Sequence, residues 1–136
     1  MAALALATWL VTAVLGFTMV GMWIARGGLR AAQAGSTATS RFAPALVFGH
    51  LLLAAAGLVV WIIYLIAKTE SLTWVAFILL LVVAVLGDVL FLRWWRGRGS
   101  GAVESGLPPV VVYSHGVFAV ATVVLVLLTA LGVGVD

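Results

Sequence analysis

The chain has 136 residues, of which 65% are hydrophobic and only 8% charged, with seven basic and four acidic side chains giving a formal net charge of +3. That balance leaves too little polar surface for a domain facing water, and a mean hydropathy of +1.32 makes lipid the expected solvent for most of the chain. Seven scattered cations are too few for a nucleic-acid footprint, and the absence of cysteine rules out disulfides, thiolate metal sites and iron–sulfur clusters.

A helix needs about 20 mostly apolar residues to cross ~30 Å of hydrocarbon. The first segment that qualifies runs from Ala2 to Ala25 without a charge. It reads as a retained helix rather than a cleaved signal. The first positive charge, Arg26, lies on the wrong side of the apolar run, although "AQAG" at Ala32 to Gly35 mimics a cleavage site. Arg26, Arg30 and Arg41 flank a polar connector, "GSTATS" from Gly35 to Ser40. The second span, Phe42 to Ala67, is broken only by His50, and the turn after it carries Lys68 and Glu70. The third, Leu72 to Leu92, is broken only by Asp88 and runs into Arg93, Arg96 and Arg98, opposed by Glu104. The fourth, Leu107 to Val135, is broken only by His115. These runs are too long for strands of a membrane barrel and do not alternate. The expected class is therefore an all-α integral membrane protein, a bundle of four transmembrane helices at about 2–25, 44–67, 72–95 and 108–134 in one domain.

Orientation follows the arginines. Both arginine-bearing connectors are expected in the cytoplasm and both termini outside, with Trp23, Trp94 and Trp95 at the cytoplasmic interface and Trp74 at the outer one. The chain is rich in Ala, Val, Leu, Gly and Arg and has a single lysine, which points to a high-GC bacterium and to its plasma membrane.

The spans also repeat. "PALVFGHLLLAAAGLVV" from Pro44 aligns without gaps on "PVVVYSHGVFAVATVVL" from Pro109, matching His50 to His115, Ala54 to Ala119 and Ala56 to Ala121. "AVLG" occurs at Ala13 to Gly16 and again at Ala84 to Gly87, after which Trp23 aligns with Trp94. The pattern is that of a tandem duplicated hairpin, with halves at about 1–67 and 72–136 related by a pseudo-twofold axis along the membrane normal. Proline in a first helical turn costs nothing, so Pro44 and Pro109 mark helix starts. Each histidine then lies about 9 Å into the membrane. Asp88, five residues before Arg93, falls at a similar depth, as do Thr18, Met19 and Met22; the two methionines read as packing residues.

Ionisable groups within spans are costly and mark functional sites by default. Two imidazoles at one depth suit one haem with two axial ligands. Ala54 and Gly57 on the face of His50, and Ala119 and Thr122 on that of His115, are small enough to admit a flat ring. Arg26, Arg41, Arg93 and Arg96, with Arg30 and Arg98, stand at the depth its propionates would reach. No C-x-x-C-H motif is present, so the haem would be a non-covalent haem b.

On four spans with His50 and His115 at equal depth, the chain resembles the small four-helix membrane b-type cytochromes, the cytochrome b561-like proteins and the haem-bearing anchors of succinate dehydrogenase. A haem held there is expected to serve one-electron transfer, with a quinone or a redox protein as partner, and the depth of Asp88 makes it a candidate proton relay. The chain departs from the two-haem b561 pattern because only two histidines exist, enough for one haem. Two other readings compete. One is a metal-ion or proton transporter in which His50, His115 and Asp88 hold a divalent ion, although Thr12 and Thr129 make only a sparse path to the outer face. The other is a cofactor-free accessory subunit of a larger complex. So little extramembrane mass also favours a homo-oligomer or such a complex. No G-x-S-x-G, H-E-x-x-H or Walker A motif supports a soluble-type enzyme.

Overall fold

Proline opens two of the four helices. In the computed structural model, which describes residues 1–134, α1 is Ala2–Ala25, α2 Pro44–Ala67, α3 Ser71–Gly97 and α4 Pro109–Ala130. Pro44 and Pro109 are the first residues of α2 and α4, preceded by extended Ala43 and Pro108. Their missing N–H groups fall where no intrahelical acceptor exists. α2 ends because Lys68 turns left-handed at φ 55°, its N–H closing on the Tyr64 carbonyl at 2.8 Å. α4 stops at Ala130, earlier than its apolar run predicts, because Gly132 and Gly134 take positive φ and unwind the chain. Val135 and Asp136, the end of that expected span and of the second repeat half, lie outside the described residues. All four helices are long and apolar enough to cross a membrane.

The helices form a bundle of two tight antiparallel pairs. α2 packs along the length of α3, and α1 along α4; α3 meets α4 less closely, and α1 meets α2 less closely still. α2 and α4 are therefore diagonal neighbours. Each repeat hairpin is thus split, its two helices pairing with helices of the other half.

Aromatic layers fill the two ends of the space between the pairs. At the end holding Met1 and the α2–α3 turn, Trp9, Trp61, Tyr64, Leu80 and Val126 form the core. The Trp9 and Trp61 rings lie 6.5 Å apart, and Trp61 Nε1–H donates to the Ala2 carbonyl at 3.2 Å. At the connector end, Trp94, Leu107 and Val112 pack with Met19, Met22 and Phe42. Trp74 and Trp95 are exposed, as an interfacial belt requires. Trp23 and Trp94 are not: at 1% and 2% exposure they are core residues, turned inward from the belt expected of them.

The two connectors are clasped together over this end. Glu104, in a short 3-10 turn at Val103–Gly106, is fully buried. Ser40 Oγ–H donates to its Oε2 at 2.8 Å, the Arg41 N–H donates to its Oε1, and Trp23 Nε1–H donates to Ser40 Oγ at 3.1 Å. The Val103 N–H reaches the Thr39 carbonyl at 2.9 Å. Two arginines complete the clasp: Arg93 Nη1 donates to the Arg41 carbonyl at 2.9 Å, and Arg26 Nη1 to the Gly106 carbonyl. Those carbonyls stand three residues before Pro44 and Pro109, so each proline-started helix is held at its entrance by an arginine from the helix it pairs with.

Candidate functional site

Between the aromatic layers the two histidines meet. The ring centroids of His50 and His115 are 6.3 Å apart, with the ring planes inclined by 59°. His50 Nδ1 lies 2.9 Å from the Val83 carbonyl on α3, and His115 Nδ1 lies 2.9 Å from the Thr12 carbonyl on α1. A carbonyl can only accept, so each Nδ1 carries the proton. In a neutral imidazole that leaves Nε2 as a bare lone pair. Neither Nε2 has a hydrogen-bond partner among the described residues, and both rings are half-buried.

The two imidazoles are seated in the same way. A Cβ on Gly87 would come within 3.0 Å of His50 Cε1, and a Cβ on Gly16 within 3.0 Å of His115 Cε1. Gly16 and Gly87 end the two "AVLG" stretches, and the accepting carbonyls, Thr12 and Val83, belong to the residues immediately before them. One turn of α1 therefore supplies both the space and the acceptor for His115, and the matching turn of α3 does so for His50. Sequence reasoning found the repeated tetrapeptide but not this task; the signal was the glycine common to both copies.

The remaining expected site residues divide. Ala54 and Ala119 stand one turn beyond the histidines and are partly buried. Gly57 serves another purpose, because its missing side chain admits the Trp9 indole, to which a Cβ would come within 3.1 Å. Thr122 Oγ1 is engaged with Thr8 Oγ1 at 3.0 Å and with the Phe118 carbonyl at 2.7 Å. Arg41 and Arg93 line a cavity of about 290 Å³ at the connector end with Ser40, Phe42 and Pro44. Arg26 is bound to Gly106, and Arg96 is exposed. Asp88 follows Gly87 directly but is exposed on the outside of α3, with no hydrogen-bond partner among the described residues. The structure does not bring it to the imidazoles, and among the described residues no group of three or more His, Cys, Asp or Glu could hold a metal ion.

No protein-family model matches this chain, and no curated protein or solved structure is significantly similar to it. The histidine pair and its surroundings therefore carry the functional reading.

Proposed function

We propose that this chain is a membrane b-type cytochrome that holds one haem between His50 and His115. The observation that carries the reading is the pair of neighbouring imidazoles, each with Nδ1–H fixed on a backbone carbonyl and Nε2 left without a partner among the described residues. Metal-ligating histidines are oriented this way, because a hydrogen bond on one nitrogen sets the tautomer and raises the basicity of the other. Two imidazoles bound on opposite sides of one metal by bonds of about 2 Å place their ring centres roughly 6 Å apart. The observed 6.3 Å suits that arrangement. The two rings also belong to separate tight helix pairs, His50 to α2–α3 and His115 to α1–α4, so a group ligated by both would bridge the pairs.

A bis-histidine haem supplies one-electron transfer and leaves no open position for oxygen chemistry. The chain's own residues would ligate it through His50 and His115, orient both rings through Val83 and Thr12, and offer the smallness of Ala54 and Ala119 beside it. The proposal places the protein in the bacterial plasma membrane with both termini outside and both connectors in the cytoplasm. A quinone or a redox protein would be its electron partner. The transporter reading draws less support, since Asp88 stands apart and a bare divalent ion would find only two protein ligands.

The test is an optical spectrum of the protein expressed with haem supplementation and purified in detergent, oxidised and then reduced. The expected result is a sharp Soret band with a reduced α-band, lost in both His50→Ala and His115→Ala. A colourless protein ends the proposal, and so does a low-spin spectrum unchanged in both variants.

A further inference from the structure

Trp94 Nε1 is a buried side-chain donor with no acceptor among the described residues. Leaving such a group unpaired is costly, so the missing acceptor needs an explanation. The indole is 2% exposed and sits at the centre of the connector-end core, among Met19 and Met22 of α1, Phe42 ahead of α2, and Val112 of α4. On α3 it lies seven residues beyond Gly87, which abuts His50. Seven residues are two turns, so Trp94 shares the inward face of Gly87 about 10 Å nearer the connectors.

The matching indole shows what is missing. Trp23 lies seven residues beyond Gly16, and its N–H donates to Ser40 Oγ, which in turn donates to the carboxylate of Glu104. One indole of the pair thus feeds a carboxylate that the protein supplies; the other has a buried N–H that meets none among the described residues.

Resting on the haem reading, we infer that Trp94 Nε1–H is the hydrogen-bond donor for a carboxylate of the bound group, a haem propionate directed toward the connector end. A ring held at the histidine layer has its only polar substituents on one edge. Trp94 lies on the connector side of that layer, where the arginines also stand, and Arg98 lies over the Trp94 and Trp95 rings at 5.5 and 4.3 Å. Trp94 is a positioning residue here, and its donor role differs from the packing role that any large aromatic could fill.

The experiment compares haem loss to apomyoglobin from the wild type and from Trp94→Phe, each loaded with haem b and then with haem b dimethyl ester. Phenylalanine keeps most of the packing and removes the N–H. With haem b the variant should release the group about ten-fold faster, the loss expected for one hydrogen bond to a charged acceptor. With the dimethyl ester the two proteins should converge. Equal release of haem b from both proteins overturns the inference while leaving the haem reading intact, and would show that the indole serves packing or a water. A difference of the same size with both haems also overturns it, because the loss would then be one of packing. Failure of the wild type to bind either haem ends both proposals.

Discussion

Gly16 and Gly87 show how narrowly the imidazoles are held. A Cβ at either position would stand 3.0 Å from a histidine Cε1, closer than the ring can accept without moving. The ring is also tied by a 2.9 Å bond to a carbonyl of the same helix, so it cannot simply retreat. Gly87→Val should therefore displace His50 and lower stability by about 1–3 kcal/mol, the usual cost of overpacking; Gly16→Val should do the same to His115. Gly116, on the same helix as His115, has nothing within 4 Å of where its Cβ would be. Gly116→Ala should be neutral or stabilising by up to about 1 kcal/mol, since glycine is a poor helix residue. Thermal unfolding in detergent would separate these outcomes, and equal behaviour of all three variants would show that the glycines seat nothing. The histidines themselves were legible in the sequence, because an imidazole in an apolar run stands out. Their acceptors were not, because a backbone carbonyl carries no residue identity. Asp88 stood out equally, and depth alone could not show which way it faces.

At the scale of elements, Glu104 is the residue whose importance the sequence hid. It read as a counter-charge to nearby arginines, yet it is fully buried and accepts from Ser40 Oγ and the Arg41 N–H. Glu104→Ala would strand both donors, at about 1–3 kcal/mol each if they stay buried. The connectors should instead separate, opening the peptide bond after Arg41 to trypsin. Glu104→Gln keeps an acceptor and should stay closer to wild type in both melting temperature and digestion rate. If Glu104→Ala resists trypsin like the parent, the clasp does not hold the connectors. The helices were easier to read than this clasp. Their lengths follow from apolar runs of membrane thickness, and their starts at Pro44 and Pro109 from the geometry of proline. Which helix pairs with which did not follow, because each helix is apolar all round and no stripe marks an inward face. Trp23 and Trp94 fell to the same ambiguity: their depth suited a belt, while their direction was set by packing.

At the scale of the whole molecule, orientation is a separate question from architecture. The contacts between helices are the same whichever way the bundle is threaded across a bilayer. Charge must decide. The connector end carries Arg26, Arg30, Arg41, Arg93, Arg96 and Arg98, whereas the α2–α3 turn carries Lys68 and Glu70, which cancel. The bias of arginine toward the cytoplasmic side sets direction in short loops. Because the chain has no cysteine, one introduced thiol can report it without background. Ser36 and Glu70 are both exposed, one in the first connector and one in the α2–α3 turn. In intact bacterial spheroplasts, Glu70→Cys should react with a membrane-impermeant maleimide, and Ser36→Cys should react only after lysis. The reverse pattern would put the connectors, and with them Trp94, on the outer side. Labelling of both thiols in intact cells would mean that the chain inserts in two directions, as expected if six arginines against a neutral turn were too weak a bias.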